Sequence, residues 1–226
     1  MIQELIAITL EIETIEKTLS IVELIKSGGF AGQLIIALLT FLLIVTLYIY
    51  FERLLTIKSA SKVDPNFMNE IKDYVVNGNF DAAKVLCMNV NSPVSRLIHK
   101  GVSRIGRPLA DINSSIENAG KLEVYSLEKN VSVLATISGA APMIGFLGTV
   151  IGMILSIFEI ANSGGQIDIK LLADGLYTAM TTTVGGLAVG IIAYISYNHI
   201  VGRTNKVVYQ MEANSVEFLD LLNEPT

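Results

Sequence analysis

The chain has 226 residues, of which 51% are hydrophobic and 16% charged, with a formal net charge of −5. Soluble domains carry about 25% charged residues, so this is the composition of a membrane protein, and no run of basic residues with interleaved aromatics offers a nucleic-acid surface. A single cysteine, Cys87, excludes an internal disulfide, and two distant histidines, His99 and His199, add too few ligands for a metal cage.

The first twenty residues lack the basic start, apolar stretch and small-residue cleavage site of a secretory signal and hold Glu4, Glu11, Glu13 and Glu16 instead, so the N-terminus is expected to be retained. Leu5, Ile8, Ile12, Ile15, Leu19 and Val22 repeat at spacings of three and four. That pattern predicts an amphipathic helix over residues 1–27, lying on the outer membrane surface or against a neighbouring subunit.

A bilayer is crossed by about twenty apolar residues in a helix. The first uncharged run, 28–51, is closed by Glu52 and Arg53 and is the first expected span. Residues 52–129 read as a helical domain: Asp64-Pro65 opens one segment, Asn77-Gly78-Asn79 breaks it, and Ser92-Pro93 opens another with Val94, Leu97, Ile98 and Val102 at helical spacing. From Asp111 onward no Gly-Pro break precedes Gly139, so one helix is expected to continue into the second span. The second span is placed at 130–160, a short hairpin at 161–172, the third span at 173–202 and a C-terminal helix at 203–226.

Of the 16 Lys and Arg residues, eleven lie between 52 and 129 and two after 202. This bias places the N-terminus outside, and the 52–129 domain and C-terminus in the cytoplasm. The fold class expected is therefore all-α, with three transmembrane helices whose long helices extend into a helical cytoplasmic domain.

In the second span Pro142, Gly145, Thr149, Gly152 and Ser156 share one face by their spacing, and in the third Ala179, Thr183, Gly186 and Gly190 form a similar narrow stripe. Small residues let helices approach closely in lipid, and packing alone is the bland account of both stripes. The functional account is that hydroxyls of Thr149, Thr178, Thr181, Thr182 and Thr183 face a lumen shared by several copies and serve a hydrated ion or a partner's carboxylate. None of the three uncharged runs holds an Asp, Glu, Lys or Arg, so a titrating group must come from another chain or from water. No nucleophile–base pair, phosphate loop or metal cluster supports an enzyme.

The segment from Leu134 through Thr136, Pro142, Gly145, Gly148, Thr149 and Gly152 to Met153 resembles the second-helix signature of the ExbB/TolQ/MotA family, and 175–187 followed by Tyr197-Asn198 is similar to its third-helix motif. Three spans fit the ExbB and TolQ branches, and the four spans of MotA-type stators do not fit. The resemblance implies a homopentameric ring in the bacterial inner membrane, with Thr149 and Thr183 as pore threonines and Pro142 as the second-helix proline. It implies an ExbD-like (or TolR-like) single-span partner that brings an intramembrane aspartate, a TonB-like protein that receives force, and no cofactor beyond the transported ion, expected to be a proton. Two departures stand out: many relatives have a glutamate at the position of Thr178 and an Ile-Pro pair at Ile191-Ile192. They leave sodium open.

Overall fold

The structure, a computed structural model, describes residues 29–62, 64–162 and 169–223. Among these residues it is all helical: α1 Gly29–Ala60, α2 Phe67–Val76, α3 Phe80–Asn89, α4 Pro93–Val102, α5 Leu109–Leu127, α6 Val131–Asn162 and α7 Ile169–Asn223. Three of them, α1, α6 and α7, are long and apolar enough to cross a membrane. The amphipathic helix expected over 1–27 and residues 163–168 of the expected 161–172 hairpin lie outside the described residues, while 161–162 and 169–172 are helical.

The chain folds as two compact units. One gathers residues up to Leu42 with Gly139–Gly190, and the other joins Leu43–Ser138 with Ile191–Thr226.

In the second unit, turn chemistry sets the element ends. The Asp64 carboxylate accepts from the Asn66 amide at 2.9 Å, starting α2. At its far end Gly78, at φ +71°, takes the left-handed conformation that glycine adopts at little cost. The Asn79 and Gly78 amides then donate back to the Tyr74 and Val75 carbonyls at 2.8 and 3.1 Å, closing the helix. Asn79 caps α3 through the Ala82 amide, and Ser92 with Ser95 forms a capping box ahead of Pro93 on α4. The spacing of Val94, Leu97, Ile98 and Val102 does place them inward: all four are buried, alongside Phe67, Ile71, Ile116 and Phe218.

One helix outlasts its apolar run, and one expectation about a helix end is corrected. Glu52 and Arg53 close the apolar run but not the helix, because Leu54 to Ser59 hold no breaker and α1 continues to Ala60. Arg53 is buried, paired with Glu52, and one guanidinium nitrogen donates to the Ser126 carbonyl at 2.9 Å. Ser126 belongs to the last turn of α5, where carbonyls have no intrahelical partner, so the cation serves as a cap. The correction is at that same end of α5. The helix from Asp111 does not run on into the second span: it stops at Leu127, and Asn130 takes φ +62° before α6 begins. Asparagine tolerates the left-handed region better than most residues, so a break needed neither Gly nor Pro.

The 55 residues of α7 run without interruption from Ile169, ahead of the third apolar run, to Asn223. At about 1.5 Å per residue such a helix is long enough to exceed a hydrocarbon layer of about 30 Å more than twice over. Its C-terminal part is anchored in the second unit by Phe218, which is fully buried. A Cβ on Gly101 would strike the Phe218 ring and lie 2.9 Å from Ile116 Cδ1, so α4 packs there only because residue 101 has no side chain.

Candidate functional site

The first unit is built on the pairing of α6 with the membrane part of α7, and small residues set its spacing. A Cβ on Gly186 would lie 2.6 Å from the Ala141 carbonyl oxygen and 2.8 Å from Gly145 Cα, and one on Gly145 would lie 2.7 Å from the Thr182 carbonyl oxygen. Backbone meets backbone here, the close approach that dispersion requires where lipid removes the hydrophobic drive for helices to associate. The register is antiparallel: Gly145 faces Gly186, Gly152 approaches Ala179, and Ser156 faces Gly175. Gly190 is buried further along α7, and Pro142, half-buried, removes one backbone N–H from the α6 ladder.

Between the Gly145 and Gly152 contacts lie the hydroxyls. Thr149 Oγ1 and Thr183 Oγ1 are 2.5 Å apart, one from each helix. Both also reach the Gly145 carbonyl oxygen, Thr183 at 3.1 Å and Thr149 at 3.4 Å. Thr182 reaches the same oxygen at 3.3 Å while donating to the Ala179 carbonyl at 2.7 Å. Thr182 is fully buried in the helix pair, whereas Thr149 and Thr183 are half-buried. Thr181 donates back to the Tyr177 carbonyl at 2.9 Å, and the side chain of Thr178 lies outside the described residues.

A threonine hydroxyl has one proton and two acceptor lone pairs. When Thr183 donates to the Gly145 carbonyl and Thr149 donates to Thr183, both protons point inward and the Thr149 oxygen keeps lone pairs for an outside donor. Rotating the two hydroxyls reverses this: Thr183 donates to Thr149, and Thr149 turns its proton outward. The pair can thus receive a protonated carboxyl or a water as acceptor, and an ionised carboxylate as donor, without moving a backbone atom. No carboxylate of its own competes, since residues 130–158 and 175–202 are free of Asp, Glu, Lys and Arg. Among the described residues no group of three or more His, Cys, Asp or Glu side chains is placed to hold a metal ion.

The structure therefore brings Thr149, Thr183 and Thr182 together around one carbonyl and places Gly145, Gly152 and Gly186 at the helix contact. Gly148, named in the sequence only within the second-helix signature and not in the packing stripe, also belongs to the contact, since a Cβ there would lie 2.7 Å from Thr182 Cβ. The signal was present, because residue 148 lies three after Gly145 and four before Gly152 and so shares their face. Outside this site, Tyr50 and His199 Nδ1 are hydrogen-bonded at 2.8 Å, and Arg203 Nε donates to His199 Nε2 at 3.1 Å. In neutral His199 the second bond puts the ring proton on Nδ1, facing Tyr50.

Residues 89–213 match the model of the MotA/TolQ/ExbB proton channel family. The chain is 27% identical over 194 residues to a biopolymer transport protein ExbB homolog of Methanothermobacter thermautotrophicus, covering 85% of this chain and 67% of that one. It is 38% identical over 79 residues to the biopolymer transport protein ExbB of Helicobacter pylori, 35% of this chain and 54% of the relative. The Tol-Pal system protein TolQ of Haemophilus influenzae is 35% identical over 85 residues, 38% of this chain and 37% of the relative. The chain thus spans about half the length of the second relative and about a third of the third.

Proposed function

The chain belongs to the MotA/TolQ/ExbB proton channel family, and from that premise we propose that it is an ExbB-like subunit of an ion-driven motor in the bacterial inner membrane. In this reading several copies, five by analogy, form a ring. A dimer of an ExbD-like single-span protein inserts among the α6 and α7 helices and brings the carboxylate that this chain lacks. Flow of protons down their gradient moves that partner, and a TonB-like protein carries the force to uptake across the outer membrane.

The observation that carries the reading is the Thr149–Thr183 hydroxyl pair, set between two helices whose apolar runs hold no charge. An ionised carboxylate in such surroundings is costly, and protonation removes most of that cost. The neutral acid can then donate to the threonine pair, pass, and release its proton on the other side. When the pair rotates its proton outward it holds the ionised form instead. Thr182, Thr178 and Pro142 would shape the passage, and the uncharged Thr178 makes it less anionic than a glutamate there would. The excess of Lys and Arg in 52–129 supports an outside N-terminus and a cytoplasmic C-terminus.

The similarity to TolQ favours one alternative, a motor of the same build that pulls on an envelope-maintenance protein. Purification from native membranes in mild detergent, with mass spectrometry of every co-purifying chain, separates the two. An intramembrane-aspartate partner with a TonB-like chain supports the first reading, and a TolR-like and TolA-like pair supports the second. A complex of this chain alone, with function indifferent to collapse of the ion gradient, would leave a passive scaffold and refute both.

A further inference from the structure

In the second unit a groove of about 600 Å3 runs between α5 and the C-terminal part of α7. Its floor is apolar, with Ile116, Val124 and Met211, and its rim carries Glu117, Glu128 and Glu212 against Lys121. Two of its lining residues, Tyr125 and Val216, are 78% and 58% exposed. Lipid does not account for these exposed side chains, because α5 carries Asp111, Glu117, Lys121 and Glu123, and α7 beyond residue 205 carries Glu212, Glu217 and Asp220. An apolar patch ringed by polar groups marks an interaction surface.

The same chain carries a complementary surface. Residues 92–108 contain Arg96, Lys100, Arg104 and Arg107 and no carboxylate. Arg96 is engaged by Glu123 at 2.6 Å through two nitrogens, while Lys100, Arg104 and Arg107 are exposed. Lys100 lines a shallow cavity with Met88 and Leu122, whose side chains are 65% and 72% exposed, so this face is apolar as well as basic.

We infer that the α5–α7 groove of one copy receives the basic face around Lys100 of a second copy. The inference rests on the ring reading above and deepens it by naming the surfaces that meet. The surfaces differ, so each copy gives one and takes one, the head-to-tail arrangement that closes into a ring when the rotation permits. Glu117, Glu128 and Glu212 meet Lys100, Arg104 and Arg107, and charge of opposite sign selects the partner and its register.

The test uses the full chain in its native membrane with its partners present. Copies carrying Glu212→Cys are co-expressed with copies carrying Lys100→Cys and oxidised; buried Cys87 does not compete. Disulfide-linked dimers are expected at about ten times the level given by Glu212→Cys copies alone. Reversing the rim with Glu117→Lys and Glu212→Lys should lower the assembled fraction about tenfold, and adding Lys100→Glu and Arg104→Glu should restore it. These positions are exposed, so helix content by circular dichroism stays unchanged. Assembly at oligomer mass with no cross-link and no effect of charge reversal overturns the pairing and leaves the ring intact. Cross-linking of Glu212→Cys to a different protein overturns it in favour of that occupant. A monomer in native mass spectrometry of the unmodified chain overturns ring and pairing together.

Discussion

The two units hold their helices together by opposite means. Around Gly145 and Gly186 the contact is made by what is missing: no side chain separates the backbones, and the large residues Met143, Phe146, Met180 and Val184 point away and are exposed. Around Phe218 the contact is made by what is present, with Phe67, Ile71, Ile98 and Ile116 buried against one another. The difference follows from the solvent. In water, burying large apolar side chains drives packing; among lipid tails that drive vanishes, and close approach with hydroxyl-to-carbonyl bonds takes its place.

This contrast predicts opposite mutational sensitivities. The largest effect is expected in the first unit from added bulk. Gly186→Leu must push α7 off the Ala141 carbonyl, and transport activity should fall by more than about 100-fold, with a thermal shift in detergent reporting the loosened pair. The second unit should respond to lost bulk. Phe218→Ala should cost about 3–5 kcal/mol, read as a fall in unfolding midpoint, whereas a similar truncation at exposed Phe146 should change it little.

Hydroxyl removal comes next in stability, and there stability and function separate. Thr183→Val keeps the shape and should cost about 1 kcal/mol or less in unfolding, the scale of side-chain hydrogen bonds between membrane helices, while abolishing most ion-driven activity. Smallest in stability is Arg96→Gln on the second unit's surface, about 1 kcal/mol at most. The hydrogen bond to Glu123 holds the Arg96 guanidinium above its usual range, so it stays charged throughout the physiological range. Its share of stability is therefore present below the ordinary arginine value and lost only at still higher pH.

Cys87 gives a pH signature of the second unit's core. Burial pushes its thiol from an ordinary 9.0 up to about 12. Being neutral in the fold, it contributes stability below pH 9 that is lost as pH rises toward 12, and alkylation at pH 8 should be slow until the unit unfolds. Rapid alkylation of the folded protein would contradict a closed core.

Much of this was legible in the sequence because it depends on local pattern. Three uncharged runs gave the long apolar helices, and spacings of three and four put Gly145, Thr149 and Gly152 on one face and Thr183 and Gly186 on another. The breaks at Asn77-Gly78 and Ser92-Pro93 were equally local. What the pattern could not reveal was pairing across long separations. Nothing near Arg53 in sequence announces that it caps a helix ending at Leu127, and nothing at Asn130 distinguishes a left-handed residue from a helical one. Likewise the stripes named Thr149 and Thr183 separately, but their shared carbonyl at Gly145 needs the register of α6 against α7. Thr182 illustrates the same limit, since its neighbours in sequence do not say that a facing glycine, Gly148, makes room for it.

In the proposed function the Thr149–Thr183 hydroxyls, and not merely the close packing around them, serve the moving ion or carboxylate. The most direct test is proton flux into vesicles reconstituted with this chain and the proposed ExbD-like single-span protein, comparing Thr183→Ser with Thr183→Val. Flux near the unmodified level for serine and at least tenfold lower for valine, with equal assembly, is the result expected from a hydroxyl role. Equal flux in the two variants would contradict it and return both threonines to helix packing.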